Sequence, residues 1–143
     1  MYMNSRNSFK ILHSDLIMEM QCVEYDLKLI YAYMHKGNVD KNLKSVETMP
    51  LGAIINELQE LDNSDNNPDL SDDDYALLHE IRELRNYWCH QCYVDYVYIQ
   101  NNFEMERKFQ EIYSWLREDE ARISDLHEKV QEFRIREVNR YKR

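Results

Sequence analysis

The chain has 143 residues, which suits one domain with one core. Two Gly and two Pro against seven Met and 43% hydrophobic residues point to long helices and few turns, and no apolar run reaches the length of a membrane span. A formal charge of −9 weighs against a general polyanion binder, because phosphate contacts need Lys and Arg.

Met1 to Lys10 lacks the apolar centre of a signal peptide. Cys22, Cys89 and Cys92 form an odd, sparse set with no disulfide framework, so a reducing, cytoplasmic setting is expected. The first predicted helix runs from about Ser8 to Lys36. Phe9, Leu12, Leu16, Met20, Val23, Leu27, Ile30 and Met34 recur there at steps of three and four. Gly37-Asn38 supplies its stop. Val39 to Glu47 reads as a polar connection. A shorter helix follows, with Thr48 as N-cap and Pro50 in its first turn; it turns Leu51, Ile54, Ile55, Leu58 and Leu61 inward and ends near Asp62.

Asp62 to Leu70 is a loop rich in Asn and Asp. Ser71 then serves as a cap with Asp74 at the capping-box position, and the acids suit the positive end of the next helix. That third long helix is predicted to run to about Ile99, where Asn101-Asn102 interrupt it. The last runs from Phe103 to about Arg140, on a stripe of Phe109, Ile112, Leu116, Ile123, Leu126, Val130 and Phe133. Unbroken, it would be about 57 Å long. It either kinks near Arg117–Ala121, where charge replaces the stripe, or projects as an arm over 117–143. The acid is concentrated in Asp62–Asp74 and Glu118–Glu120, while Arg134, Arg136, Arg140, Lys142 and Arg143 make a basic end able to form a local groove. The expected fold is a single all-α bundle of four or five helices.

The most informative stretch is Arg85-Asn86-Tyr87-Trp88-Cys89-His90. Arg holds phosphate oxygens through a planar fork of donors, and His exchanges a proton near neutral pH. Together they suffice for metal-free chemistry on a phosphodiester. At 100° per residue, Leu77, Ile81, Leu84, Trp88 and Cys92 mark the core side; His79, Glu83, Asn86, His90 and Tyr93 fall opposite, with Arg82 and Arg85 on the flank. Asn86 and His90 are one turn apart, so the amide can orient the imidazole. Arg85 and His90 are five apart, roughly 140° around an ideal helix. That angle favours a site completed across a two-fold dimer, or one assembled by a helix distortion.

The run from Leu84 to Tyr93 resembles the Arg-x(4–6)-His signature of HEPN-domain proteins, many of them ribonucleases of toxin and defence systems. Asn directly after Arg, Trp88 on the inward side and a long helix before the motif add to the resemblance. The helical layout over Phe9 to Trp115 is similar, while Arg85 to His90 is the specific match. The resemblance implies an all-α HEPN-like bundle whose motif helices face each other in a homodimer, and it implies RNA cleavage without a metal or cofactor. His90 would act as general base or acid, Arg85 would stabilise charge on the phosphorane, and Asn86 and Tyr93 would position substrate or imidazole. The antitoxin-paired members carry a Tyr two residues after the His; here Cys92 holds that place, so the modification site is not carried over and an antitoxin remains one candidate partner beside RNA. Other members keep the fold as non-catalytic modules for nucleic acid, nucleotide or protein, and a plain helical dimerisation scaffold is a third reading.

Other constellations carry less chemistry. Arg122 and His127 repeat the motif spacing, but Ile follows that Arg. Cys89-His90-Gln91-Cys92 lacks the second ligand pair of a structural zinc site. Tyr87, Tyr93, Tyr96 and Tyr98 suit base stacking, or more simply helix contacts. Asp72-Asp73-Asp74 is explained by a helix start. His13, His35 and His79 have no partner legible in the sequence; Glu19 and Glu24 of the first helix are placed to face the motif, but nothing in the sequence marks them as catalytic.

Overall fold

The computed structural model describes residues 4–64 and 66–141. Asp65 of the acidic loop, and Lys142 and Arg143 of the basic end, lie outside them. The described residues are all-α: α1 (Ser5–Met34), α2 (Val39–Val46), α3 (Leu51–Asn63), α4 (Asp72–His90), α5 (Val94–Val97) and α6 (Asn102–Arg140). No helix among them is long and apolar enough to cross a membrane.

The three-four stripes set what is buried. On α1, Phe9, Leu16, Met20, Val23, Leu27 and Ile30 are fully buried, with Leu12 and Met34 half-buried at intermediate positions. On α6, Phe109, Ile112, Leu116, Ile123, Leu126, Val130 and Phe133 are buried in the same rhythm. Each such side chain contributes roughly 1.5–3 kcal/mol against exposure. The 39-residue α6 is one helical element without a break at Arg117–Ala121, and burial continues to Glu137. Within the gap in the stripe, Asp119 and Glu120 are half-buried.

The described residues group into two compact units. The first takes in the chain up to Met20 together with Ile81–Asp125. Its centre is aromatic. The Phe9 ring packs against His13, Tyr93, Tyr96, Phe109 and Tyr113 at centroid separations of 5.4–6.5 Å. The Arg6 guanidinium lies 3.5 Å from the Phe109 ring centroid while its Nη2 reaches Glu106 at 2.8 Å. A cation on a ring face keeps its charge while covering apolar surface.

The second unit comprises Gln21–Glu80 and the chain from Leu126 onward. Three boundaries within it correct the sequence reading. Val39–Val46 is a helix rather than a polar connection: the Asn38 side chain accepts the Lys41 N–H, Asp40 sits in the first turn, and Val46 is buried. Thr48 does not cap α3; its hydroxyl donates to the Ser45 carbonyl and so closes α2. Pro50 is the N-cap residue of α3, with its carbonyl accepting from Ala53 and Ile54. The expected capping box is present, since the Asp74 N–H donates to Ser71 Oγ at 3.1 Å and the Ser71 N–H to Asp74 Oδ2 at 3.0 Å. Burial disfavours the Asp74 charge, but Ser71 and Lys129 outweigh it and hold the carboxyl below its usual value.

Buried Asp62 at the end of α3 organises the acidic loop. It accepts the Asp69 N–H at 2.8 Å, the Leu70 N–H at 3.1 Å and the Tyr75 hydroxyl at 2.6 Å. The described part of the basic end is not an open groove. Arg134 pairs with Asp26 at 3.2 Å, Arg136 with Asp69 at 2.6 Å, and Arg140 with Glu137 at 3.3 Å. Those arginines neutralise acids of their own chain.

Candidate functional site

The motif lies on the last two turns of α4, in the first unit. Its inward side is as expected: Ile81, Trp88 and Cys92 are buried, and Leu77 and Leu84 half-buried. Asn86 and His90 are exposed, as are His79 and Glu83, while Arg85 is half-buried. The helix is regular from Asp72 to His90, so no distortion brings Arg85 round toward His90. Their directions stay roughly 140° apart within one chain.

The helix does not continue to Ile99. It ends at His90, turns, and gives way to the four-residue α5. A remote side chain meets the backbone at the break. His13 Nε2 lies 2.6 Å from the Trp88 carbonyl, which can only accept, so the Nε2 position carries the proton. The Cys92 thiol donates to the same carbonyl at 3.4 Å. The Cys92 N–H, which would bond Trp88 in a continued helix, donates instead to the Tyr87 carbonyl at 3.0 Å. Burial pushes the Cys92 thiol up to about 11, which keeps it protonated and able to donate.

The break redirects Tyr93. Expected beside His90, it packs instead into the aromatic centre, 5.6 Å from Phe9 and 5.4 Å from His13, and burial raises its phenol above the ordinary value. Arg85, Asn86 and His90 therefore share one helix, and Tyr93 turns away from them. Past the break, Val94, Val97, Tyr98 and Phe103 are exposed to between 50% and 79%, a concentration of apolar surface beside the motif.

Two other clusters surround titratable groups. In the first unit, buried Glu19 on α1 meets Glu120 of α6, with Asp15 and Ser124 close by. Burial, the Glu120 charge and hydrogen bond, and Asp15 push its carboxyl up to about 7 against the opposing Ser124 bond. One of its oxygens, Oε2, is buried without a hydrogen-bond partner among the described residues. In the second unit, Cys22, Tyr25, Asp26, His127 and Arg134 line a pocket of about 450 Å³. Burial raises the Asp26 carboxyl despite Arg134 and His127. The repeated Arg-x-x-x-x-His spacing is accounted for separately: His127 lines this pocket, and Arg122 pairs with Asp119 at 3.6 Å.

Among the described residues, no group of three or more His, Cys, Asp and Glu side chains could hold a metal ion. A contact that sequence reasoning missed is the bond from Trp88 Nε1–H to Asp119 Oδ2 at 2.9 Å. Its only linear signal is the acid that interrupts the apolar stripe of α6. Comparison of the chain with models of protein families, with curated proteins and with solved structures finds no match to any of them.

Proposed function

We propose that the protein is a metal-independent RNA endonuclease of HEPN type, working in the cytoplasm as a homodimer, in a toxin or defence setting. The observation that carries this reading is the exposure of Asn86 and His90 on a helix that also bears Arg85 and ends at His90. In the reaction His90 takes the proton of a ribose 2′-hydroxyl, whose oxygen bonds to the adjacent phosphorus. The phosphorus–O5′ bond breaks, the leaving oxygen is protonated, and a 2′,3′-cyclic phosphate remains. Arg85 stabilises the charge on the equatorial oxygens. Asn86, one turn before His90, positions the imidazole or the substrate.

The angle between Arg85 and His90 supports a site shared by two copies, with Arg85 of one facing His90 of the other. Exposed Val94, Val97, Tyr98 and Phe103 offer apolar area for that contact. The same area favours a second reading, in which the fold is a non-catalytic module that binds a protein, an antitoxin among the candidates. The ion-paired arginines near the C-terminus and the charge of −9 add to it.

The test is cleavage of varied RNAs by purified protein in excess EDTA, alongside Arg85→Ala and His90→Ala, with the product ends analysed. Cyclic-phosphate ends, lost in both variants, are the expected result. Intact RNA after incubation with folded protein would sink the ribonuclease reading in favour of the binding module.

A further inference from the structure

We infer that the first unit carries a binding site for a small organic cation, an alkylammonium or guanidinium group, between Tyr87 and Trp88 of α4 and Trp115, Glu118 and Asp119 of α6. These five residues line a pocket of about 290 Å³, enough for a trimethylammonium head or a guanidinium with part of its alkyl chain. Its walls are aromatic. Tyr87 and Trp115 meet at a ring separation of 6.3 Å and an interplanar angle of 64°, which sets two rings at a corner rather than in a closed stack. Trp115 keeps 38% of its surface exposed despite being one of the largest side chains in the protein. Buried Trp88 forms the floor, held by its bond to Asp119.

The rim is acidic. Asp119 is occupied by the Trp88 indole and by Arg122, so its charge is partly spent. Glu118 is exposed and has no hydrogen-bond or ion-pair partner among the described residues. Aromatic faces with a carboxylate beside them attract a weakly hydrated cation through the ring quadrupole and through charge, and offer little to an anion or a neutral polar molecule. Trp115 already shows this affinity inside the chain, since Lys108 Nζ lies 5.0 Å from its ring centroid without lining the pocket. The inference does not depend on the ribonuclease reading.

Both tryptophans of the chain line the pocket, so the protein reports on it directly. The experiment is a titration of the whole chain with choline and with methylguanidinium, read by tryptophan fluorescence and by the two indole N–H resonances in a ¹⁵N-labelled sample. The neutral isostere of choline, 3,3-dimethylbutan-1-ol, is the control. Saturable shifts of both indole signals are expected with at least one cation, and roughly tenfold weaker binding of the neutral isostere. Glu118→Gln, an exposed change that leaves the fold intact, should weaken binding of the cation about threefold and leave the isostere unaffected. Equal binding of choline and its isostere would overturn the inference by making the pocket merely apolar. Indole signals unmoved by both cations at 20 mM would overturn it as well.

Discussion

Replacing Glu19 with Gln should remove the share of the pH dependence of stability, between about pH 4.5 and 8, that the Glu19 carboxyl carries. The carboxyl is 8% exposed and has an ordinary value of 4.5, but beside Glu120 and Asp15 it is raised to about 7 in the fold. A raised carboxyl means that the folded chain holds the proton more tightly than the unfolded chain. Stability is therefore fully present below about pH 4.5, falls as the pH rises through the interval, and levels off above about 7. At about 1.4 kcal/mol per pH unit, the loss across the interval is roughly 3 kcal/mol at most, and it belongs jointly to the Glu19–Glu120 pair. Gln is neutral at every pH and can donate to Glu120 as the protonated acid does. The expected result is a variant close to wild type at pH 4.5 and more stable at pH 8, by up to about 10 °C in midpoint for a chain of this size. Thermal unfolding followed by circular dichroism at half-unit pH steps measures it. Taking the difference between the two proteins cancels the other shifted groups: Asp26 and Glu137, raised by burial, and Asp74, lowered by its cap contacts. A difference between variant and wild type that does not change with pH would refute the reasoning.

Further outcomes follow from the second unit and from the motif helix. Asp62→Ala leaves two backbone N–H groups and the Tyr75 hydroxyl without their acceptor, and should cost about 3–5 kcal/mol in urea unfolding. Tyr75→Phe removes one of those bonds and should cost only about 1–2 kcal/mol. Asn38→Ala and Ser71→Ala each remove a helix cap and should cost about 1 kcal/mol apiece in the same assay. His90→Ala, on an exposed side chain, should change stability by no more than about 0.5 kcal/mol, so that any loss of RNA cleavage in that variant reads as chemistry rather than unfolding.

What the sequence determined by itself is the local part of the structure. Three-four spacing marked α1 and α6 because the period of the helix and the period of burial coincide, as Phe9 to Ile30 and Phe109 to Phe133 demonstrate. The Ser71–Asp74 box was legible because its donors and acceptors lie within one turn. The inward side of the motif helix was legible for the same reason, with Ile81 and Trp88 buried. α2 escaped notice because its one fully buried residue, Val46, leaves a short segment that reads as polar. The rest required distant partners. Where the helix stops at His90, the Trp88 carbonyl is met by His13, 75 positions away, and beyond that stop Tyr93 packs against Phe9 and His13 while His90 stays on the last turn. The charge that interrupts the α6 stripe is tolerated because Asp119 accepts from Trp88, 31 positions earlier. Periodicity and caps are written within a few residues of the chain, whereas the acceptor of a buried donor is chosen by whichever group folding brings within 3 Å of it.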